Sequence, residues 1–230
     1  MKKLFISEVF ASVQGEGALV GVPSVFVRTS GCNLRCEWCD TPYASWEPEG
    51  EHVEVEALVA RIEAHRPVRH AVLTGGEPMI APHLGALAER LSSLGYHITV
   101  ETAGTVFAPV RADLFSISPK LGNSTPRRGE EAWRARHEAA RLNPAAIRAM
   151  MGAAEYQLKF VVSAPEDLAE IDALLVDLNP EPSRVLLMPE GRSVEQLDAG
   201  ASWLVEVCMR RGWRFCDRLQ IRLFGDTRGT

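Results

Sequence analysis

The chain has 230 residues, 46% of them hydrophobic and 24% charged, a composition able to bury a large core as one α/β domain over 1–230. Its formal net charge of -5 speaks against a nucleic-acid partner, since phosphate binding needs a basic face. No apolar run approaches the roughly 20 residues that cross a bilayer, and Ser7 and Glu8 come too early for a signal peptide, so a cytoplasmic protein with no membrane partner is expected.

Extended apolar segments alternate with helical ones. Strands are predicted over residues 22–29, 71–74, 96–101, 114–118, 156–162 and 185–188. Amphipathic stretches with three-and-four spacing cover residues 53–65, 83–94, 166–178 and 194–211, the third opened by Pro165 and Glu166 in the manner of a helix start. That rhythm requires parallel strands joined by right-handed crossovers. Six units fall short of the eight that close a barrel, so the expected fold is α/β: a partial, open TIM-like barrel of about six parallel strands with outer helices. Residues 130–151, rich in Arg, Ala and Glu and interrupted by Pro144, read as a surface helical insertion that covers a helix or contributes to a dimer surface. Residues 213–224 read as one more strand.

Three of the five cysteines, Cys32, Cys36 and Cys39, fall within eight residues. Thiolates are the usual ligands of a [4Fe-4S] cluster, and three of them leave one iron open to a small molecule. A structural zinc site needs a second close pair of ligands, which is missing. A redox pair cut from Cys36 and Cys39 leaves Cys32 unexplained. Cys208 and Cys216 lie far along the chain and read as packed thiols. An odd number of cysteines, three of them clustered, is no disulfide framework and suits a reducing compartment.

Polar residues gather where the predicted strands end: Thr74-Gly75-Gly76-Glu77-Pro78, Glu101-Thr102-Ala103-Gly104-Thr105, Ser118-Pro119-Lys120 and Met188-Pro189-Glu190-Gly191. In parallel α/β folds that rim is where ligands bind. Gly-Gly-Glu-Pro alone is equally an ordinary turn, but four such rims beside a cysteine loop point to a shared site.

Cys32-x3-Cys36-x2-Cys39, with Trp38 before the last cysteine and Gly75-Gly76-Glu77-Pro78 at a strand end, resembles the radical S-adenosylmethionine superfamily. Phe10-Ala11-Ser12-Val13-Gln14-Gly15-Glu16-Gly17, the stretch from Gly21 to Arg28, Gly31-Cys32-Asn33-Leu34, Trp38-Cys39-Asp40-Thr41 and the ending Phe224-Gly225-Asp226-Thr227-Arg228-Gly229-Thr230 are similar to the 7-carboxy-7-deazaguanine synthase family. The likeness covers nearly the whole chain and is weakest over 130–151. It implies ring contraction of 6-carboxy-5,6,7,8-tetrahydropterin to 7-carboxy-7-deazaguanine with loss of ammonia, for queuosine and deazapurine biosynthesis. The cofactors implied are a [4Fe-4S] cluster, S-adenosylmethionine and Mg²⁺. S-Adenosylmethionine would chelate the open iron and be cleaved by an electron from the reduced cluster, and the resulting 5′-deoxyadenosyl radical would abstract a substrate hydrogen. A one-electron donor such as flavodoxin or ferredoxin and a homodimer are expected. Two alternatives are kept: an activase that installs a glycyl radical in a partner protein, and a metal-binding module without turnover.

Carried over by the resemblance, Cys32, Cys36 and Cys39 would ligate the cluster, and Thr41 would offer its hydroxyl to Mg²⁺, with a helix cap as its alternative role. Trp38, Cys39, Asp40, Gly76, Glu101, Ser118, Pro119, Lys120, Met188, Pro189, Glu190 and Gly191 would hold S-adenosylmethionine. Glu101 would accept from ribose hydroxyls or sit in an ion pair. Val13, Gln14, Gly15, Arg28, Thr74 and Thr230 would hold the pterin, Arg28 gripping its carboxylate unless it is merely a surface salt bridge. No protein side chain is expected to be catalytic, since the radical arises on the cofactor.

Overall fold

The computed structural model describes residues 2–127 and 131–230. One sheet of nine strands runs in the order β3-β1-β2-β4-β5-β6-β7-β8-β9. Its parallel body is β2 (Pro23–Thr29), β4 (His70–Gly75), β5 (His97–Thr102), β6 (Leu114–Ile117), β7 (Glu155–Val162), β8 (Val185–Pro189) and β9 (Arg214–Phe215). The first six of these are the six predicted strands. The edge strands β3 and β9 do not meet, so the barrel is open, as six-strand patterning implied.

Two strands escaped the sequence reading. β1 (Lys3–Val13) pairs antiparallel with both β2 and β3 (Glu51–Glu54), making an antiparallel edge on the parallel body. Its alternation starts with buried Leu4 and Ile6 and is then broken by a bulge between Ile6 and Glu8. The extra residue shifts the period-two pattern, which removes the signal and re-aims the side chains beyond it. The last two residues of β3, Val53 and Glu54, fall inside what reads as the start of a helix, so α2 begins only at Val55 and runs to Glu63.

Period-two alternation splits each parallel strand between two environments. Ala71, Leu73, Ile98, Val100, Phe115, Ile117, Leu158, Phe160, Val162, Val185 and Leu187 face the helices and form the main core. The other face carries Thr74, Glu101, Ser116, Lys159, Val161 and Met188, all of which line a cavity. The outer layer includes α3 (Leu84–Ser93), α6 (Asp167–Leu178) and α7 (Val194–Arg211). α7 opens on a reciprocal cap: Gln196 N–H donates to Ser193 Oγ at 3.3 Å, and Ser193 N–H to Gln196 Oε1 at 3.2 Å. It stops at Gly212, whose φ of +68° suits a residue without Cβ.

Residues 213–224 are not a single strand. β9 is two residues long, and Leu219–Phe224 forms the short helix α8 with only Ile221 buried. The predicted insertion, whose first residue Glu130 lies outside the described residues, consists of α4 (Glu131–Ala140) and α5 (Pro144–Ala153). Pro144 does not interrupt a helix. It is the first residue of α5, capped by Asn143 Oδ1, which accepts from Ala146 N–H at 3.2 Å. Nor is the segment a solvated addition, because Ile147 and Met150 belong to the core.

At the amino-terminal end of the strands His70 is buried between Ser24 Oγ at 2.7 Å and Thr99 Oγ1 at 2.8 Å, with His97 edge-on at 5.0 Å. Burial, helped by His97, lowers its pKa from 6.5 to about 4. The unfolded chain therefore binds more protons than the folded one between these values. Stability should be complete above pH ~6.5 and fall by up to about 3 kcal/mol as the pH drops toward ~4. Denaturant midpoints measured across that window should show a shallower decline for His70→Gln, with a residual slope from His137, which burial also lowers to about 4.

Candidate active site

Thirty-four residues line one cavity at the carboxyl ends of the parallel strands, with about 1390 Å³ of empty space counting its open mouth. It is a concave site at the rim where parallel α/β sheets bind ligands. The strand register builds one wall, to which Arg28, Thr74, Glu101 and Ser116 contribute. Glu8, Arg28 and Thr74 are Cα partners across β1, β2 and β4, and Glu101, Ser116 and Gln157 across β5, β6 and β7.

The loop after β2 carries Cys32, Cys36 and Cys39, which pack together with Leu34 and Ala103, and all three thiols line the cavity. They form no disulfide. Leu34 N–H donates to Cys32 Sγ at 3.3 Å, and Ser45 Oγ lies 3.1 Å from Cys39 Sγ. Burial pushes the Cys32 and Cys36 thiols up to about 12, so both are protonated until a metal displaces the proton. The loop after β4 packs directly beneath: a Cβ on Gly76 would lie 2.4 Å from Gly31 O and 2.8 Å from Cys32 Cβ. Glycine is required there by contact with the cysteine loop itself. Glu77, fully buried, joins this loop to the end of β5 by accepting from Thr102 Oγ1 at 2.7 Å, Ala103 N–H at 2.8 Å and Met79 N–H at 3.0 Å. Burial raises its pKa despite these bonds.

Of the residues singled out from sequence, every one lines this cavity except Pro119, which is buried off its wall. Gln14 Nε2 donates to Glu101 Oε1 at 3.0 Å, joining a pterin candidate to a cofactor candidate. Lys120 donates to Ser118 Oγ at 2.8 Å and stands 5.5 Å from the Trp38 ring centroid. Thr41 precedes helix α1 (Pro42–Ser45), yet its side chain makes no capping bond, which counts against the cap alternative. Arg28 is no surface ion pair. It is mostly buried and gives its Nε to Glu8 Oε1 at 2.6 Å. Tyr43 Oη donates to the same oxygen at 3.0 Å.

A buried charge network was not foreseen. Glu16 receives Lys159, Arg218 Nε at 3.0 Å and Gln220 Nε2 at 2.7 Å. Arg218 also donates to Gly191 O at 2.7 Å and to Asp40. One guanidinium thus ties the glycine-rich turn after β1, the cysteine loop and the loop after β8. Burial opposes the charge on Glu16, but Lys159 and Arg218 outweigh it and hold its carboxyl well below the usual range. Lys159 was legible in principle, since a charge inside Leu158-Lys159-Phe160-Val161 is rarely buried without a partner. Arg218 and Gln220 were hidden by reading their segment as strand. A Cβ on Gly15 would lie 1.9 Å from Gln220 Oε1, so α8 closes tightly on that turn.

The tail crosses the mouth. Asp226 accepts from Arg192 Nε at 2.7 Å, Arg228 donates to Glu49 at 3.1 Å and stacks 3.9 Å from the Tyr43 ring centroid, and Thr230 lines the cavity.

Residues 26–123 match the Radical SAM superfamily. The 7-carboxy-7-deazaguanine synthase of Rhodopirellula baltica is 50% identical over 229 residues, covering 99% of this chain and 89% of that protein. The chain belongs to the 7-carboxy-7-deazaguanine synthase family. A further 7-carboxy-7-deazaguanine synthase, from Halobacterium salinarum, is 43% identical and covers 96% of this chain and 90% of its own length. The crystal structure of QueE from Escherichia coli superimposes with a TM-score of 0.70 at 27% identity over 94% of each chain. TYW1, at a TM-score of 0.56 and 14% identity, shares the fold. As a 7-carboxy-7-deazaguanine synthase of the radical S-adenosylmethionine superfamily, the enzyme uses a [4Fe-4S] cluster and S-adenosylmethionine. The residues fit that cluster: three unpaired thiols share one cavity wall, and no further cysteine lines it. Cys208 lies in the core behind the sheet, and Cys216 Sγ is taken by Gly17 N–H at 3.1 Å.

Proposed function

We propose that this chain converts 6-carboxy-5,6,7,8-tetrahydropterin to 7-carboxy-7-deazaguanine with loss of ammonia, a step toward queuosine and related deazapurines. The observation that carries the reading is that the three-cysteine loop and Arg28 face one cavity. When bound, the cluster supplies the electron that cleaves S-adenosylmethionine and starts the substrate radical chemistry.

The chain's own residues bind, orient and exclude water. Cys32, Cys36 and Cys39 hold the cluster, and Trp38, Asp40, Gly76, Glu101, Ser118, Lys120 and Met188 to Gly191 surround S-adenosylmethionine, with Pro119 backing that wall. Val13, Gln14, Gly15, Thr74 and Thr230 contact the pterin. Glu8 occupies Arg28 Nε, which leaves the two terminal nitrogens for the substrate carboxylate, a bidentate match. Thr41 is assigned to Mg²⁺, supported by a hydroxyl that lines the cavity and caps nothing. A tail lying across the mouth suits a small molecule better than a partner protein's glycine, which disfavours the activase alternative.

The proposal extends to a one-electron donor such as flavodoxin or ferredoxin, required because cofactor cleavage consumes an electron. It extends to a homodimer. A single domain is supported by one sheet that takes strands from both ends of the chain. A cytoplasmic setting is supported by five free cysteines; among the described residues no helix is long and apolar enough to cross a membrane.

Anaerobically reconstituted protein, given the tetrahydropterin, S-adenosylmethionine and a reductant, should yield the deazaguanine by mass. Absence of that product alongside intact cofactor cleavage would reject the substrate. Arg28→Ala removes two charge-assisted bonds of about 1.5–3 kcal/mol each, so kcat/KM for the pterin should fall at least ~10-fold while cofactor cleavage persists. Unchanged pterin kinetics would remove Arg28 from the site.

A further inference from the structure

The helix α4 lies over the outer side of the cysteine loop, in the segment where sequence suggested only a surface addition. His137, fully buried, takes Arg35 N–H on Nδ1 at 3.2 Å, and its Nε2 meets Ser124 Oγ at 3.0 Å. Ser124 O in turn accepts from Glu37 N–H at 2.9 Å. One turn earlier, the Trp133 ring stacks on the Arg35 guanidinium at 4.1 Å to its centroid. Arg35 is one residue from Cys36 and is only 9% exposed. Its NH1 donates to Cys32 O at 2.9 Å and to Leu34 O at 2.8 Å. Among the described residues its charged neighbours are the Cys32 and Cys39 sulfurs, and no carboxylate forms an ion pair with it. Arg136 stands 5.3 Å from the centroid of the same Trp133 ring, adding a second positive charge.

A buried guanidinium without a counter-carboxylate is costly unless a negative group nearby compensates it. The cysteine loop supplies that group once its thiolates hold a cluster. Accepting one electron makes a cluster more negative, and a fixed cation beside it favours the reduced form. Net charge around the site and hydrogen bonding are among the levers by which a protein sets such a potential. The backbone bonds to Cys32 O and Leu34 O and the stacked ring prevent the charge from swinging into solvent.

We propose that Arg35, clamped by Trp133 of α4, is the positioning residue that raises the reduction potential of the cluster held by Cys32, Cys36 and Cys39. The inference rests on the radical S-adenosylmethionine reading of the site. In the step concerned, one electron passes from a one-electron reductant to the cluster, and the reductant is oxidised. Arg35 changes the position of that equilibrium without taking part in the transfer.

The test uses full-length protein reconstituted anaerobically and titrated with dithionite and mediators, the reduced cluster being followed by electron paramagnetic resonance. Arg35→Gln should shift the midpoint to a more negative potential, and Arg35→Lys should recover most of the shift because it keeps the charge. Trp133→Leu, which leaves Arg35 and its backbone bonds in place, should shift the midpoint in the same direction by less. A merely structural role would lower the iron bound per chain without moving the midpoint of the clusters that form. An unchanged midpoint in Arg35→Gln overturns the proposal; should that variant hold no iron, an unchanged midpoint in Trp133→Leu overturns it equally. Wild-type protein that takes up no iron would instead overturn the cluster reading, so the two failures are distinguishable.

Discussion

Cys36→Ala is expected to abolish iron uptake and S-adenosylmethionine cleavage together while leaving the fold in place. Cys36 is one of the three cysteine thiols on the cavity wall, and its backbone is independently fixed by Trp46 Nε1, which donates to Cys36 O at 3.1 Å. With two thiolates left, one of the three protein ligands of the four-iron cluster is gone and a second iron is left without a thiolate. The protein cost is a single buried sulfur, of the order of about 1 kcal/mol, so far-ultraviolet circular dichroism and the unfolding midpoint should change little. Cys208→Ala is the control. That thiol lies in the core behind the sheet, and its loss should leave iron content and cleavage unaltered. Iron retained by Cys36→Ala, or lost by Cys208→Ala, would mean that the wrong sulfurs have been assigned.

The second large effect is expected at Lys159. Its ammonium sits within the inward face of β7, almost wholly buried, and pairs with Glu16. Burial disfavours its charge, yet Glu16 and Glu101 more than offset this and raise its pKa. Lys159→Met leaves Glu16 buried with Arg218 and Gln220 alone, and stability should drop by about 3 kcal/mol or more, the usual cost of removing one member of a buried pair. Adding Glu16→Gln should restore much of that loss, because the uncompensated charge disappears with it. The pH dependence has a defined sign. The stability Glu16 contributes is present above its unfolded pKa near 4.5 and is lost as the pH falls below it, since its folded pKa is depressed. Denaturant melts of the two single variants and the double at pH 7 and pH 4 would measure both effects. Additive losses at pH 7 would show that the pair is not coupled.

The two predictions differ in how the sequence announced them. The cysteines stand in one short loop, so spacing alone places their sulfurs together and no tertiary contact is needed. Lys159 meets Glu16 across 143 positions of chain, and Arg218 meets Asp40 across 178. Neither partner carries a local pattern that names the other. β1 was missed for a related reason, because its bulge interrupts the alternation that makes a strand visible.

Local pattern determined the six central parallel strands, the helices between them, the open barrel and the cysteine loop, because each follows from periodicity or spacing over fewer than about 20 residues. It also placed the cavity-lining residues at strand ends, since a parallel sheet brings all its carboxyl ends to one rim. Only the tertiary structure decided which charges share that rim, how α8 and the tail close over it, and that α4 braces the cysteine loop through Trp133 and His137. Those are contacts between segments far apart in sequence. Their energies come from burial and charge pairing, which depend on where the folded chain excludes water rather than on the order of its residues.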